Sequence, residues 1–513
     1  MPGRVLGASP APAPLDPALV GARGLGDRFY PTLGNGGYDI GHYDLELTWH
    51  TPDGLAPEGH LEGLARLALA TTQDLAELSL DLSRGTTEVL GVRVDGEAVA
   101  HRADPLGRKL IVPLNAVHPA GDELVIEVEW TARPGGVHRL GEGIPLDGPG
   151  RDRSRDARGF LSDGDGGFLM ASQPNGAHTL YPSNDHPIDK ATFRVMLTSP
   201  PGMLGVATGE RVAQVAREDG SVTTTWVSAE PVATHVLAMG VGRSTIIESE
   251  MADGPHIRSV VPAALAPISG FRLDAIDDAV AWLEAELGVR YPFESVGVQL
   301  VPPEATGAVL EGQTLILAGA GVLDPRLRAC AWQALLVHEV AHQWFGDSVS
   351  VARWDAQWLS EGHATWYQRR FEAESGCDPL GFHDRMALIA ARAQEARDRG
   401  GPPARPKRPA NAYDPTIYDQ GALAIEALRR EVGDATFRAI EAEWLDRHRG
   451  SSASTDDFIG LASEVAERDL REFLEGWLRD DEVPPFLGDP DASSSPAAIL
   501  PGEGTPRPST AEE

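Results

Sequence analysis

Residues 338–366 read HEVAHQWFGDSVSVARWDAQWLSEGHATW, and this stretch decides the fold. His338 and His342 are four residues apart, which on a helix places them about 40° apart around the axis and about 6 Å along it. Both imidazoles reach one ion. Zinc suits two neutral imidazoles and a carboxylate at about 2.0–2.2 Å, with a fourth position left for water. Glu339, beside the first ligand, is placed to work on that water rather than to bind the metal. With 15 histidines in 513 residues, chance gives about 0.03 such matches in a chain of this length, so accident is a poor explanation. The third protein ligand is Glu361, with eighteen residues between it and His342. Gly346 stops the first helix, the chain turns through DSVSVARW, and a second helix from about Asp355 to Gly376 returns antiparallel with Glu361 facing the histidines.

Upstream of this pair the periodicity is two. YDLELTW (43–49), LARLALA (64–70), LAELSLDL (75–82), VRVDG (92–96), KLIVPL (109–114) and LVIEVEW (124–130) read as strands at the spacing of an antiparallel sheet domain, with Asp95-Gly96 as a hairpin signal. A Gly-, Asp- and Arg-rich stretch at 131–167 reads as a long loop, and strand signals resume at TFRVMLT (192–198). Near residue 271 the period changes to 3.6, and the helix before His338 is expected to open with Asp324 as N-cap and Pro325 in its first turn. Further helices are expected at 420–432, 434–448, 455–467 and 469–479. The expected organisation is a disordered leader over 1–30, a β domain over 31–243, a mainly helical metal-binding domain over 244–485 and a disordered tail over 486–513.

A net charge of −32 disfavours nucleic acid and anionic membranes as partners. No apolar run reaches the length of a spanning helix, and the start, VLGASPAPAPLDP after Arg4, is broken by proline where an export signal needs an apolar core. These features predict a cytoplasmic protein with no obligate protein partner. Cys330 and Cys377 are too few for a disulfide framework, so both are expected as reduced, packed thiols.

The run from His338 to Trp366 resembles the aminopeptidase N and leukotriene hydrolase family of gluzincin metallopeptidases, whose signature is HExxH, the same eighteen-residue gap and a WLxEGxA helix. The resemblance extends to TLYPSNDHPIDKATF (179–193) and covers roughly residues 30–485. It implies an α+β multidomain chain, an N-terminal antiparallel β domain followed by a thermolysin-like, mainly helical catalytic domain. The long C-terminal helical domain of the family's large members is expected to be missing.

The resemblance further implies one zinc ion per chain and removal of the N-terminal residue from peptides with a free amine. Glu339 is then the general base. Tyr418, in TIYDQGALAIEALR, is the oxyanion donor, with Tyr413 the other tyrosine nearby. The family's Gly-Ala-Met-Glu-Asn substrate loop corresponds to GAVLEGQT, which gives Gly307, Ala308 and the amine-binding Glu311. The family's Gln-x-Glu-Pro segment reads SQPNGAH, so Gln173 is kept as a substrate-binding residue and the second carboxylate is absent. His363, two residues past Glu361, turns about 160° away and is not expected to bind the metal. Two rivals follow: hydrolysis of a non-peptide substrate such as an epoxide on the same zinc, and a vestigial site in a binding protein.

Overall fold

The computed structural model describes residues 15–53, 56–135, 159–301, 309–408 and 414–486. The N-terminal part is built on a nine-stranded sheet. At its centre Tyr38–His50 pairs antiparallel with His60–Thr71, which pairs antiparallel with Glu123–Ala132. The alternating pattern of these segments is the cause: Leu45, Leu47 and Trp49 point into one core while Asp44, Glu46 and Thr48 remain partly accessible.

Among the described strands of this sheet, one pairing departs from the expected antiparallel arrangement. Lys190–Ser199 adds to the other edge of Tyr38–His50 in parallel, because the chain leaves the sheet after Ala132 and returns through a connection long enough to reverse direction. Within the expected loop at 131–167, Phe160–Ser162 forms a strand paired with Phe168–Met170, while 136–158 lie outside the described residues.

The leader expectation needs a correction as well. Residues 1–14 and the tail from 487 onward lie outside the described residues, but residues 15–30 pack on the protein. Gly21 N–H donates to the Glu77 carbonyl, and the buried Asp27 carboxylate accepts from the backbone N–H of Phe29, Tyr30 and Trp354. One short acidic side chain thus ties this segment to the turn before the Glu361 helix.

From residue 244 a smaller mixed sheet comes first. Ser244–Glu250 runs antiparallel to His256–Pro262, and Val298–Val301 and Ile316–Gly319 lie parallel beside it. Helices α1 (Ala266–Leu273) and α2 (Ala275–Leu287) make the crossover, and α2 ends at Gly288 in the left-handed conformation. Then follow α3 (Ala329–Ala341), α4 (Trp358–Glu374), α5 (Gly381–Gly400), α6 (Pro415–Val432), α7 (Asp434–Arg447), α8 (Thr455–Val465) and α9 (Arg471–Leu478). Helix α5 is absent from the sequence reading, since its charged, weakly patterned surface carries little periodic signal.

Helix α3 starts four residues later than Asp324 as N-cap suggested, with Arg328 in that position. The Asp324 carboxylate accepts from Arg326 N–H and its carbonyl from Leu327 N–H, so residues 324–327 close a turn instead of a first helical turn. Cys330 and Cys377 are joined as a disulfide, with Cα atoms 5.6 Å apart, in place of the expected free thiols. The bond links the start of α3 to the chain just beyond α4. No described helix is long and apolar enough to cross a membrane.

Candidate active site

Helices α3 and α4 face each other and carry the three donors. His338 Nε2 and His342 Nε2 are 3.1 Å apart, and Glu361 Oε2 lies 3.4 Å from the first and 3.3 Å from the second. All three residues are buried. The Phe345 carbonyl, which can only accept, sits 3.1 Å from His342 Nδ1. That assigns the proton to Nδ1 and turns the Nε2 lone pair toward the other donors.

Buried Glu361 Oε2 has no hydrogen-bond partner among the described residues. Three electron-pair donors therefore converge on one point. A tetrahedral ion with bonds of about 2.0–2.1 Å places its ligand atoms about 3.3–3.4 Å apart; the two edges to Glu361 match that, and the edge between the imidazoles is about 0.2 Å shorter. Two imidazoles and a carboxylate are also the chemistry that zinc takes, so the residues present fit it.

Two glycines make this geometry possible. Gly346 adopts a φ of 130°, and a Cβ there would lie 2.5 Å from Ser360 Oγ, the hydroxyl that sits 2.9 Å from His342 Nδ1. Helices α4 and α6 cross at Gly362 and Gly421, where a Cβ on either would come within 2.9 Å of the other's backbone. This close crossing brings Tyr418, on the first turns of α6, onto Glu361. Its hydroxyl donates to Glu361 Oε1 at 2.8 Å, and its ring stacks on His338 at 5.9 Å. Ser360 and the glycine pair are absent from the sequence reading; the only signal was small residues beside each predicted site residue.

Glu339 and Glu311 are buried and group with His342, one ligand atom of each lying within 4.8 Å of the others. Gln173 Nε2 donates to Glu311 Oε1 at 2.5 Å, which aims that carboxylate. Gly307, Ala308 and Tyr413 lie outside the described residues. His363 is a core residue: it stacks on Phe345 at 4.2 Å, its Nδ1 lies 2.7 Å from the Leu359 carbonyl, and burial takes its pKa down to about 3. His178 packs its Nδ1 2.6 Å from Asp185 Oδ2 in the YPSND segment, a local hydrogen-bonding role.

The electrostatics show what the centre demands. Burial pushes Glu339 well above the usual carboxylate range, with His342 opposing and Glu311 and Glu361 adding to the effect. Burial also raises Glu311, opposed by His342 and reinforced by Glu361. For Glu361 burial is outweighed by the attraction of His342 and of His338, which face it and take it down to about 2. His342 is raised despite burial because Glu311 and Glu361 face it. Three carboxylates around two imidazoles call for positive charge at their centre, which a divalent cation supplies.

Residues 271–477 match the Peptidase family M1 domain. Over these residues the chain carries an M1 peptidase domain, and it is similar to the aminopeptidase N group of gluzincins. Among solved structures, the M1 zinc metallopeptidase from Deinococcus radiodurans superposes with a TM-score of 0.74 at 28% identity, covering 92% of this chain and 100% of that one. A variant of that enzyme bound to a Tyr-Ser-Ala substrate gives 0.75 at 28% identity, covering 91% and 100%.

Two curated relatives are the probable aminopeptidase 2 of Sulfurisphaera tokodaii, 23% identical over 340 residues, and the mitochondrial aminopeptidase 2 of Saccharomyces cerevisiae, 23% identical over 321 residues. These alignments take in 62% and 60% of this chain but only 42% and 33% of the relatives. The matched part of the chain thus spans less than half the length of those enzymes. The expected architecture, a sheet-rich N-terminal part before a mainly helical one, is the one observed.

Proposed function

We propose that this M1 chain is a zinc-dependent aminopeptidase that holds one ion through His338, His342 and Glu361. The observation that carries the reading is the placement of a second buried carboxylate, Glu311, aimed by Gln173 beside the three-donor cluster. An anion there suits the α-ammonium of a peptide rather than a neutral epoxide. Unit charges about 4 Å apart attract by about 4 kcal/mol at an effective dielectric near 20, before desolvation is subtracted. That is enough to select chain ends.

When bound, zinc acidifies water and polarises the scissile carbonyl. Glu339, whose burial favours proton uptake, takes the proton of the attacking water and passes it to the leaving amine. Tyr418 donates its hydroxyl hydrogen bond to the oxyanion as charge develops there. Glu311 holds the substrate amine throughout, so that one residue extends from amine to scissile bond.

The test combines elemental analysis with turnover of aminoacyl-anilides, with and without a chelator. Unaltered protein is expected to hold one zinc and to lose activity on chelation, and His338→Ala to lose the metal. Glu339→Gln should keep the metal and lose roughly 10²–10⁴-fold in kcat. Undiminished zinc in His338→Ala, or near-normal kcat in Glu339→Gln, overturns the assignment.

A further inference from the structure

We propose that Gln343 is a positioning residue that sets the distance between the amine-binding carboxylate and the metal cluster; the inference rests on the aminopeptidase reading. Gln343 directly follows His342 and is fully buried. Its Oε1 accepts from Thr314 N–H at 2.8 Å and shares the single proton of the Tyr291 hydroxyl, 3.1 Å away, with the Ser295 carbonyl, also at 3.1 Å. Its Nε2 donates to the Gly312 carbonyl at 3.3 Å and to Asp347 Oδ2 at 2.8 Å. A primary amide has two lone pairs and two N–H groups, and all four are in use.

Two of these bonds end on the turn that carries Glu311, at Gly312 and Thr314. Thr314 has a φ of 62°, a left-handed conformation that a β-branched residue adopts only under constraint. The constraint is visible on both sides. The N-terminal part grips the turn through Gly209 N–H to Thr314 Oγ1 and Gln313 N–H to the Val236 carbonyl, each at 2.9 Å. Gln343 grips it from the ligand-bearing segment.

The turn is therefore strained, and the zinc-binding segment holds it directly. Without the amide, Thr314 relaxes toward ordinary backbone and Glu311, three residues before it, shifts relative to His342. The substrate amine is then held at the wrong distance from the reacting carbonyl. Gln343 touches no reacting atom in this account; it acts through Glu311.

The experiment compares an aminoacyl-anilide with its N-acetylated form in unaltered enzyme, in Gln343→Met and in Gln343→Met/Thr314→Asn, with zinc content and calorimetric affinity for L-arginine measured on each. Methionine keeps the volume and removes the hydrogen bonds. Asparagine tolerates the left-handed backbone and keeps a side-chain acceptor, so it removes the strain that Gln343 opposes. Gln343→Met is expected to retain zinc, raise KM for the free-amine substrate about tenfold, weaken L-arginine to match, and change kcat less than threefold. The acetylated substrate should be unaffected, and the double variant should recover KM to within about threefold of the unaltered enzyme.

A purely structural role predicts no recovery on changing Thr314. An unchanged KM in Gln343→Met, or no recovery in the double variant, overturns the proposal. Should Gln343→Met fail to fold, Tyr291→Phe, which removes one donor to the same amide oxygen, is expected to raise KM about two- to threefold. No change in that variant equally overturns it. If the unaltered enzyme turns over free and acetylated substrates alike, the aminopeptidase reading itself fails.

Discussion

The Tyr418 hydroxyl donates to Oε1 of Glu361 at 2.8 Å, on the carboxylate whose other oxygen lies 3.3 Å from His342 Nε2. The phenol proposed for the oxyanion is thus also a partner of a proposed metal ligand. Tyr418→Phe should lower kcat by about 10²–10³ with a smaller change in KM, because an oxyanion hydrogen bond forms mainly in the transition state. Zinc affinity should fall too, by about 10–100-fold, as for other lost ligand-supporting contacts. A chelator titration read beside steady-state kinetics checks both; an unchanged kcat removes Tyr418 from the chemistry.

Glu311 groups with Glu339 and His342 and is neither ligand nor expected base. Glu311→Ala should raise KM for free-amine substrates by about 10–100-fold, at a cost of 1.4 kcal/mol per tenfold, while N-acetylated substrates stay as poor as before. Gln173→Ala leaves the carboxylate in place and removes only its 2.5 Å hydrogen bond, so its effect should be smaller. A larger effect at Gln173 than at Glu311 would reverse these roles.

His235 is buried against Trp354, with ring centroids 4.9 Å apart, and burial lowers its pKa from 6.5 to about 3. Between those values the unfolded chain takes up a proton that the folded chain refuses. Stability is therefore full above pH 6.5 and declines as pH falls toward 3, by up to about 1.4 kcal/mol per pH unit for this one group. Urea unfolding at pH 7 and pH 5 should show a loss about 2 kcal/mol greater in unaltered protein than in His235→Phe. Equal losses in both proteins would show that His235 is not the group responsible.

The Cys330–Cys377 bond closes a separation of 47 residues that contains both ligand-bearing helices. On the chain-entropy account such a cross-link is worth about 4 kcal/mol. Cys330→Ser/Cys377→Ser protein should melt well below the unaltered protein, and added reductant should lower the melting temperature of the unaltered protein only. Identical melting curves under oxidising conditions would mean the bond adds nothing.

The sequence by itself determined what depends on local periodicity. An i, i+4 spacing puts His338 and His342 on one helix face whatever surrounds them, and alternation places Leu45, Leu47 and Trp49 on one face of a strand. Glu361 was legible because a stop at Gly346 and a short return leave little choice of path.

Tertiary structure alone decided the rest, since it depends on which distant backbones approach each other. The Gly362–Gly421 crossing brings Tyr418 onto Glu361 across 57 residues, and Cys330 meets Cys377 only because α3 and α4 pack side by side. Gln343 reaches back 29 residues to hold Thr314 in a conformation that its own side chain disfavours. Such contacts are set by close packing and by the need to satisfy every buried amide, and neither leaves a period in the chain.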